Sequence, residues 1–231
     1  MKRASIRILC AVVMFLFLVQ PVSAGVIDWT VWTGGTIGYP NGTASGHTAV
    51  QNIGISYTGE VQGALVASNP YGYFSSYPTT YPAAYAPPDD SLIIQIVIGT
   101  LPGAPQLNTI TFSNPVDNPL MAIVSMGAPG LPVYYYFPNQ DFTVLSSGPG
   151  WWAGPEVLVR DAAYLLKGEE GNGLIQFTGT GITSISWYSS PSENWHAFTI
   201  GVPFGVPEPA SLLLLSAGLF GIGLMRMKFT S

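Results

Sequence analysis

The feature that most restricts this chain is its punctuation. Twenty-seven glycines and twenty prolines interrupt 231 residues, and both residue types break helices and mark turns. Between the interruptions lie short runs rich in Val, Ile, Thr, Phe, Tyr and Trp, at residues 49–57, 60–67, 92–99, 109–113, 120–126, 133–137, 142–145, 156–159, 174–177, 182–188 and 195–202. Runs of this length and composition, bounded by Gly, Pro, Asn or Asp, read as β-strands. The run at 92–98 is almost continuously apolar and is expected to be a central strand buried on both faces. Residues 161–167 (DAAYLLK) are the only stretch that reads as a helical turn. Many short strands with tight turns imply an all-β fold, expected to be a two-sheet antiparallel β-sandwich with a jelly-roll-like course.

Charge limits the partners. Asp, Glu, Lys and Arg make up 8 % of the chain, against about 25 % in an ordinary soluble domain. Residues 25–205 hold eleven acids and only two bases, Arg160 and Lys167. Such a surface has no basic stripe to neutralise phosphates, so nucleic acid is excluded as a partner. Solubility must rest on Ser, Thr, Asn, Gln and exposed backbone, which suits an extracytoplasmic protein.

Both ends are apolar and differ from the body. At the N-terminus, Lys2, Arg3 and Arg7 precede an apolar run and then Pro21-Val22-Ser23-Ala24. These are the three parts of a secretory signal peptide, 1–24, with cleavage expected between Ala24 and Gly25; a retained anchor is the competing reading. Such a leader is handled by the Sec translocon. The only cysteine, Cys10, lies inside it, so a mature chain would have no disulfide and no thiol nucleophile. At the other end, Pro207-Glu208-Pro209 introduces an apolar segment at 210–225, followed by Arg226 and Lys228. The prolines keep Glu208 out of helical conformation. Sixteen residues of helix span about 24 Å, short of the ~30 Å hydrocarbon core, so a transmembrane helix here is marginal. The basic pair places the body, residues 25–205, outside the cytoplasm.

This tail, residues 206–231, resembles the PEP-CTERM sorting signal of bacterial surface and exopolysaccharide-associated proteins. Pro207, Glu208, Pro209, the Leu-rich segment and the basic residues Arg226 and Lys228 carry the match. The family's arginine cluster is denser than this Arg-Met-Lys. The resemblance implies recognition of the tripeptide by an exosortase, a membrane intermediate, and delivery to the cell surface or extracellular matrix. An ordinary C-terminal anchor is the plainer alternative. Residues 108–202, notably ITFSNPVDNPLMAIVSMG and GEEGNGLIQFTGTGITSISWYSSPSENWHAFTIGV, also look like ectodomains that accompany this signal. That likeness implies a β-sandwich with no assigned catalytic activity.

Catalytic chemistry finds little material, and no cofactor is expected. His47 and His196 are the only histidines, and the sequence lacks a nucleophile elbow, a phosphate loop and a cysteine-based zinc pattern. His196 reads as a structural residue within a strand. Glu169-Glu170-Gly171-Asn172-Gly173, with Asp89-Asp90, groups oxygen ligands suited to calcium, yet Gly-Asn-Gly also fits a tight hairpin, and that reading is preferred. A hydrolase using two unrecognised carboxylates is the third-ranked possibility.

The aromatic inventory is more telling. Residues 69–88 (NPYGYFSSYPTTYPAAYAPP) carry five tyrosines, one phenylalanine, five prolines and no charge, and read as a long loop of polyproline character. Trp151-Trp152 sit in a Gly/Pro loop, and Tyr134–Tyr136 should alternate across a strand. Tyr73, Tyr77, Tyr81, Trp151 and Trp152 are the candidate contacts for an uncharged glycan; core filling by the tryptophans, Trp187 and Trp195 above all, is the competing reading. The leading expectation is a non-enzymatic protein sorted to the envelope or exopolysaccharide matrix, with a lectin-like module as the alternative.

Overall fold

The computed structural model describes residues 26–61, 72–88, 94–96 (backbone only), 106–152, 154–191 and 195–205. The leader, Ala24 and Gly25, Tyr71, Asp89-Asp90, the segment 210–225, and Pro207, Glu208, Pro209, Arg226 and Lys228 lie outside them. The described residues form thirteen strands: β1 (Val26–Thr36), β2 (Gly38–Thr48), β3 (Gly54–Val61), β4 (Ile94–Ile96), β5 (Gln106–Val116), β6 (Leu120–Met126), β7 (Val133–Tyr136), β8 (Phe142–Gly148), β9 (Val157–Ala162), β10 (Leu165–Glu169), β11 (Gly171–Phe177), β12 (Ile182–Ser190) and β13 (His196–Phe204). The described residues contain no helix, and therefore none long and apolar enough to cross a membrane.

All pairings are antiparallel and follow one path, β8-β11-β6-β13-β1-β2-β3-β5-β12-β7-β10-β9, with β4 added on β13. The all-β expectation holds, but the layers are not two separate sheets. β1 is long enough to join them: Val26 to Trp29 pair with β13, and Thr30 to Thr36 pair with β2. The result is a rolled, nearly closed sheet. Its end strands, β8 and β9, meet through side chains. The Leu158 N–H donates to Ser147 Oγ (3.2 Å). Arg160 donates to the Phe142 carbonyl (2.7 Å), pairs with Asp141 (2.7 Å) and lies over the Phe142 ring.

The roll encloses Trp32, Tyr57, Tyr135, Phe137, Phe177, Trp187 and Phe198 among others. A second apolar cluster lies on the other face of β6 and β13 and includes Trp29, Phe74, Tyr81, Leu120, Ala122, Val124 and Ala197. β6 shows how one strand serves both. Met121 and Ile123 face the interior, whereas Leu120, Ala122 and Val124 face outward, as the two-residue period of a strand requires. At Ser125 the register slips against β11, with φ at 57°, and the Ser125 N–H is taken by Asn172 Oδ1 (2.9 Å). This bulge turns Met126 back to the interior.

What covers the outer face of β6 is the Tyr-rich segment. Residues 72–88 are not polyproline but a chain of turns: Ser76 N–H to Gly72 O, Tyr81 N–H to Tyr77 O, and Tyr85 and Ala86 N–H to Pro82 O. Pro78 and Pro82 each sit near the start of a turn, where a missing N–H costs nothing. Two further expectations fail. Residues 161–167 form the β9–β10 turn and its flanks, not a helical turn, with Tyr164 at φ 62°. The Glu169–Gly173 stretch is not a hairpin, because β10 pairs with β7 and β9 while β11 pairs with β6 and β8. Glu170, at φ 46°, carries the chain from one layer to the other.

Candidate functional site

Three segments converge on one patch of the covered face: the turns at 72–88, the loop after β8, and the start of β13. The loop is held by contacts that demand glycine. A Cβ on Gly150 would stand 2.3 Å from the Asn172 side-chain amide, and one on Gly154 would stand 2.4 Å from Glu170 Cγ. Those two partners are themselves fixed. Asn172 Nδ2 donates to the Glu170 carbonyl (2.8 Å), and Ser125 Oγ donates to the Glu170 carboxylate (2.8 Å). Thr80 ties the cover to the same loop, donating to the Pro149 carbonyl (2.7 Å) and accepting, at its own carbonyl, from Ser146 Oγ (2.6 Å). Glu169 accepts from the Gly130 N–H (2.8 Å). The two glutamates weighed as calcium ligands therefore serve loop contacts, and the described residues hold no group of three or more metal-ligating side chains.

The aromatic rings supported in this way are Tyr73, Trp151, Trp152 and Trp195. Tyr73 lies at the centre, 7 % exposed. Trp152 stacks on it (5.9 Å between centroids, 26° between planes), Trp151 meets it edge-on (5.9 Å, 88°) and Trp195 is tilted against it (6.1 Å, 47°). Trp152 and Trp195 are 4.5 Å apart at 52°. Trp151 and Trp152 keep 45 % and 37 % of their surface exposed. Of the other sequence candidates, Tyr77 is half-buried against the outer cluster. Tyr81 is no surface residue at all: it is 1 % exposed and its hydroxyl donates to the Ile123 carbonyl (2.6 Å), so it fastens the cover to β6. Burial pushes its phenol far above the usual tyrosine range. Trp195, assigned to the core by its strand context, is half-buried at the patch. Trp187 is fully buried, as expected.

A buried polar group that sequence reading overlooked lies inside the roll. Glu60 accepts from Ser189 Oγ (2.7 Å) and from Asn108 Nδ2 (3.4 Å). Asn108 Oδ1 takes the Tyr57 hydroxyl and the Glu60 N–H. Glu60, Asn108 and Ser189 are all nearly inaccessible. Desolvation raises the Glu60 carboxyl above its ordinary value, opposed by the hydrogen bonds from Ser189 and Asn108 and by the charge of His196. Tyr57 is raised well above the usual phenol range, first by burial and then by Glu60. His196, fully buried, hydrogen-bonds Tyr135. A glutamate amid small polar residues reads in sequence as a solvated strand position, so nothing there marked it. His47 lies in β2, opposite Val31 and Gly54.

Residues 205–227 match the family model of the PEP-CTERM protein-sorting motif. The tail reading therefore stands: the chain carries a PEP-CTERM sorting signal, which implies exosortase processing and export to the cell surface through a membrane intermediate. No curated protein and no solved structure matches the chain.

Proposed function

We propose that this chain is an exported, non-enzymatic component of the cell envelope or exopolysaccharide matrix. In this reading the Sec translocon exports it, cleavage between Ala24 and Gly25 removes the leader, and residues 25–205 form the functional body. Residues 210–225 hold the intermediate in the membrane until an exosortase acts at Pro207-Glu208-Pro209. The observation that carries the reading is the sorting-motif match at 205–227. The test is to change Glu208→Gln, or Pro207 and Pro209 to Ala, and follow the protein by fractionation and intact mass. Full-length protein should accumulate in the inner membrane. Normal release of these variants would return the tail to a plain anchor.

A second reading, a lectin-like module delivered by the same route, is favoured by one specific feature. Trp151 and Trp152 stay exposed although Tyr73 and Trp195 are beside them to pack against. Aromatic rings held open at a surface bury well against the C–H faces of sugars.

A further inference from the structure

The exposed rings do not share a plane. Trp151 stands at 88° to Tyr73 and Trp152 at 26° to the same ring, so the two indoles lie closer to perpendicular than to parallel. Trp195 takes a third inclination, 52° from Trp152. A polysaccharide in an ordered, insoluble array presents its sugar faces in a common plane, and a flat array of that kind could lie against only one of these indoles at a time. A single chain whose successive sugars turn relative to one another can offer a face to each.

Charge narrows the ligand further. Glu170 lies against Gly154 of the same loop, and Glu169 is its neighbour in sequence. Of the two bases of the body, Arg160 is committed to Asp141 and the Phe142 carbonyl. With eleven acids against Arg160 and Lys167 in residues 25–205, an anionic glycan would meet a net negative body. The rings are also positioned in advance, because Tyr73 contacts all three indoles and Gly150 and Gly154 fix the loop. Rigid aromatic contacts lose little conformational freedom on binding.

We propose that Trp151, Trp152, Trp195 and Tyr73 form a non-planar site for a single, soluble, uncharged glycan chain; this rests on the lectin-like reading. The site stacks Trp151 and Trp152 on differently oriented sugar faces, with Tyr73 as the fixed support beneath.

The test uses the full chain in detergent. Its migration is measured in gels containing soluble neutral probes (hydroxyethyl cellulose, laminarin and galactomannan) or anionic alginate, and its sedimentation with microcrystalline cellulose is measured in parallel. Retardation by a neutral soluble probe is expected, without retention on the insoluble face or by alginate. Trp151→Ala and Trp152→Ala should each weaken that binding by about tenfold or more, and Trp152→Phe should restore part of it, with unchanged far-UV circular dichroism throughout. Retention on microcrystalline cellulose without soluble binding would overturn the non-planar, single-chain assignment and leave the glycan reading standing. Preference for alginate would overturn the neutral assignment. Failure to bind any of the probes would overturn both the site and the lectin-like reading.

Discussion

Two sets of aromatic side chains in this molecule do different work. Inside the roll, Trp187 lies within 6.0 Å of Tyr57, Tyr135, Phe137 and Phe198, ring centre to ring centre, and none of the five is more than 1 % exposed. On the covered face, Trp151 and Trp152 crowd Tyr73 as closely, yet each keeps more than a third of its surface in solvent. Ring contacts alone therefore do not identify a core. What separates the sets is their support. The inner rings are held by strands on every side, whereas the outer ones are held from below, by two glycines seated on Asn172 and Glu170.

The largest expected effect comes from the inner set. Trp187→Ala should destabilise the protein by about 3–5 kcal/mol, the usual cost of a large cavity in a packed interior. Urea denaturation checks it, and a much smaller loss would mean that the interior can collapse around the gap.

A smaller effect is expected where the Tyr-rich cover is fastened. Tyr81→Phe keeps the ring against Phe74 but removes the donor to the Ile123 carbonyl. The cost should be about 1–2 kcal/mol, with faster hydrogen exchange at Tyr81 and Tyr85 before the rest of the sheet opens. Unchanged exchange there would separate the cover from the stability of β6.

This cover shows where sequence reading succeeds and where it stops. β6 is expected at residues 120–126 and forms there, because an apolar run broken only by Ser125 and bounded by turn residues has few other uses. Tyr134–Tyr136 alternate as expected, with Tyr135 buried and Tyr136 exposed. The chemistry of the island at 69–88 was visible, but its destination was not. Proline density signals a loop without saying whether the loop projects or lies down, and the second face of β6 that it covers is a property of the assembled sheet. The first hairpin, β1 and β2, falls outside the expected strand runs. Its glycines weaken any strand pattern, yet close cross-strand approach requires one of them: a Cβ on Gly46 would stand 2.5 Å from the Val31 carbonyl oxygen. The glutamate turn departs from the expected hairpin for a different reason: positive φ, as at Glu170, serves a crossing between layers as well as it serves a hairpin.

Of the candidate site, Trp151 and Trp152 are legible as exposed-loop aromatics, whereas Tyr73, expected as a surface contact, is buried beneath them. Trp195 is not legible in this way, because a tryptophan at the head of a buried strand reads as core. The interior polar group offers a gentler test of the inner set. The folded-state pKa of Glu60 is raised above its unfolded value, so its contribution to stability is complete below the unfolded pKa and is lost as pH rises through the folded one. Denaturation midpoints of the native protein should therefore decline as pH is raised from about 4.5 toward neutrality. Glu60→Gln, which resembles the protonated form, should flatten this decline. An unaltered slope in the variant would assign the pH dependence to other groups.

The division between the two aromatic sets is tested most directly at its other end. The double variant Trp151→Ala, Trp152→Ala should be measured beside Trp187→Ala under the same denaturant titration. A loss clearly smaller than that of Trp187→Ala is expected, because more than a third of each indole already lies in solvent and their removal opens no enclosed cavity. A loss matching that of Trp187→Ala would contradict the division, because it would make the exposed indoles part of what holds the fold together.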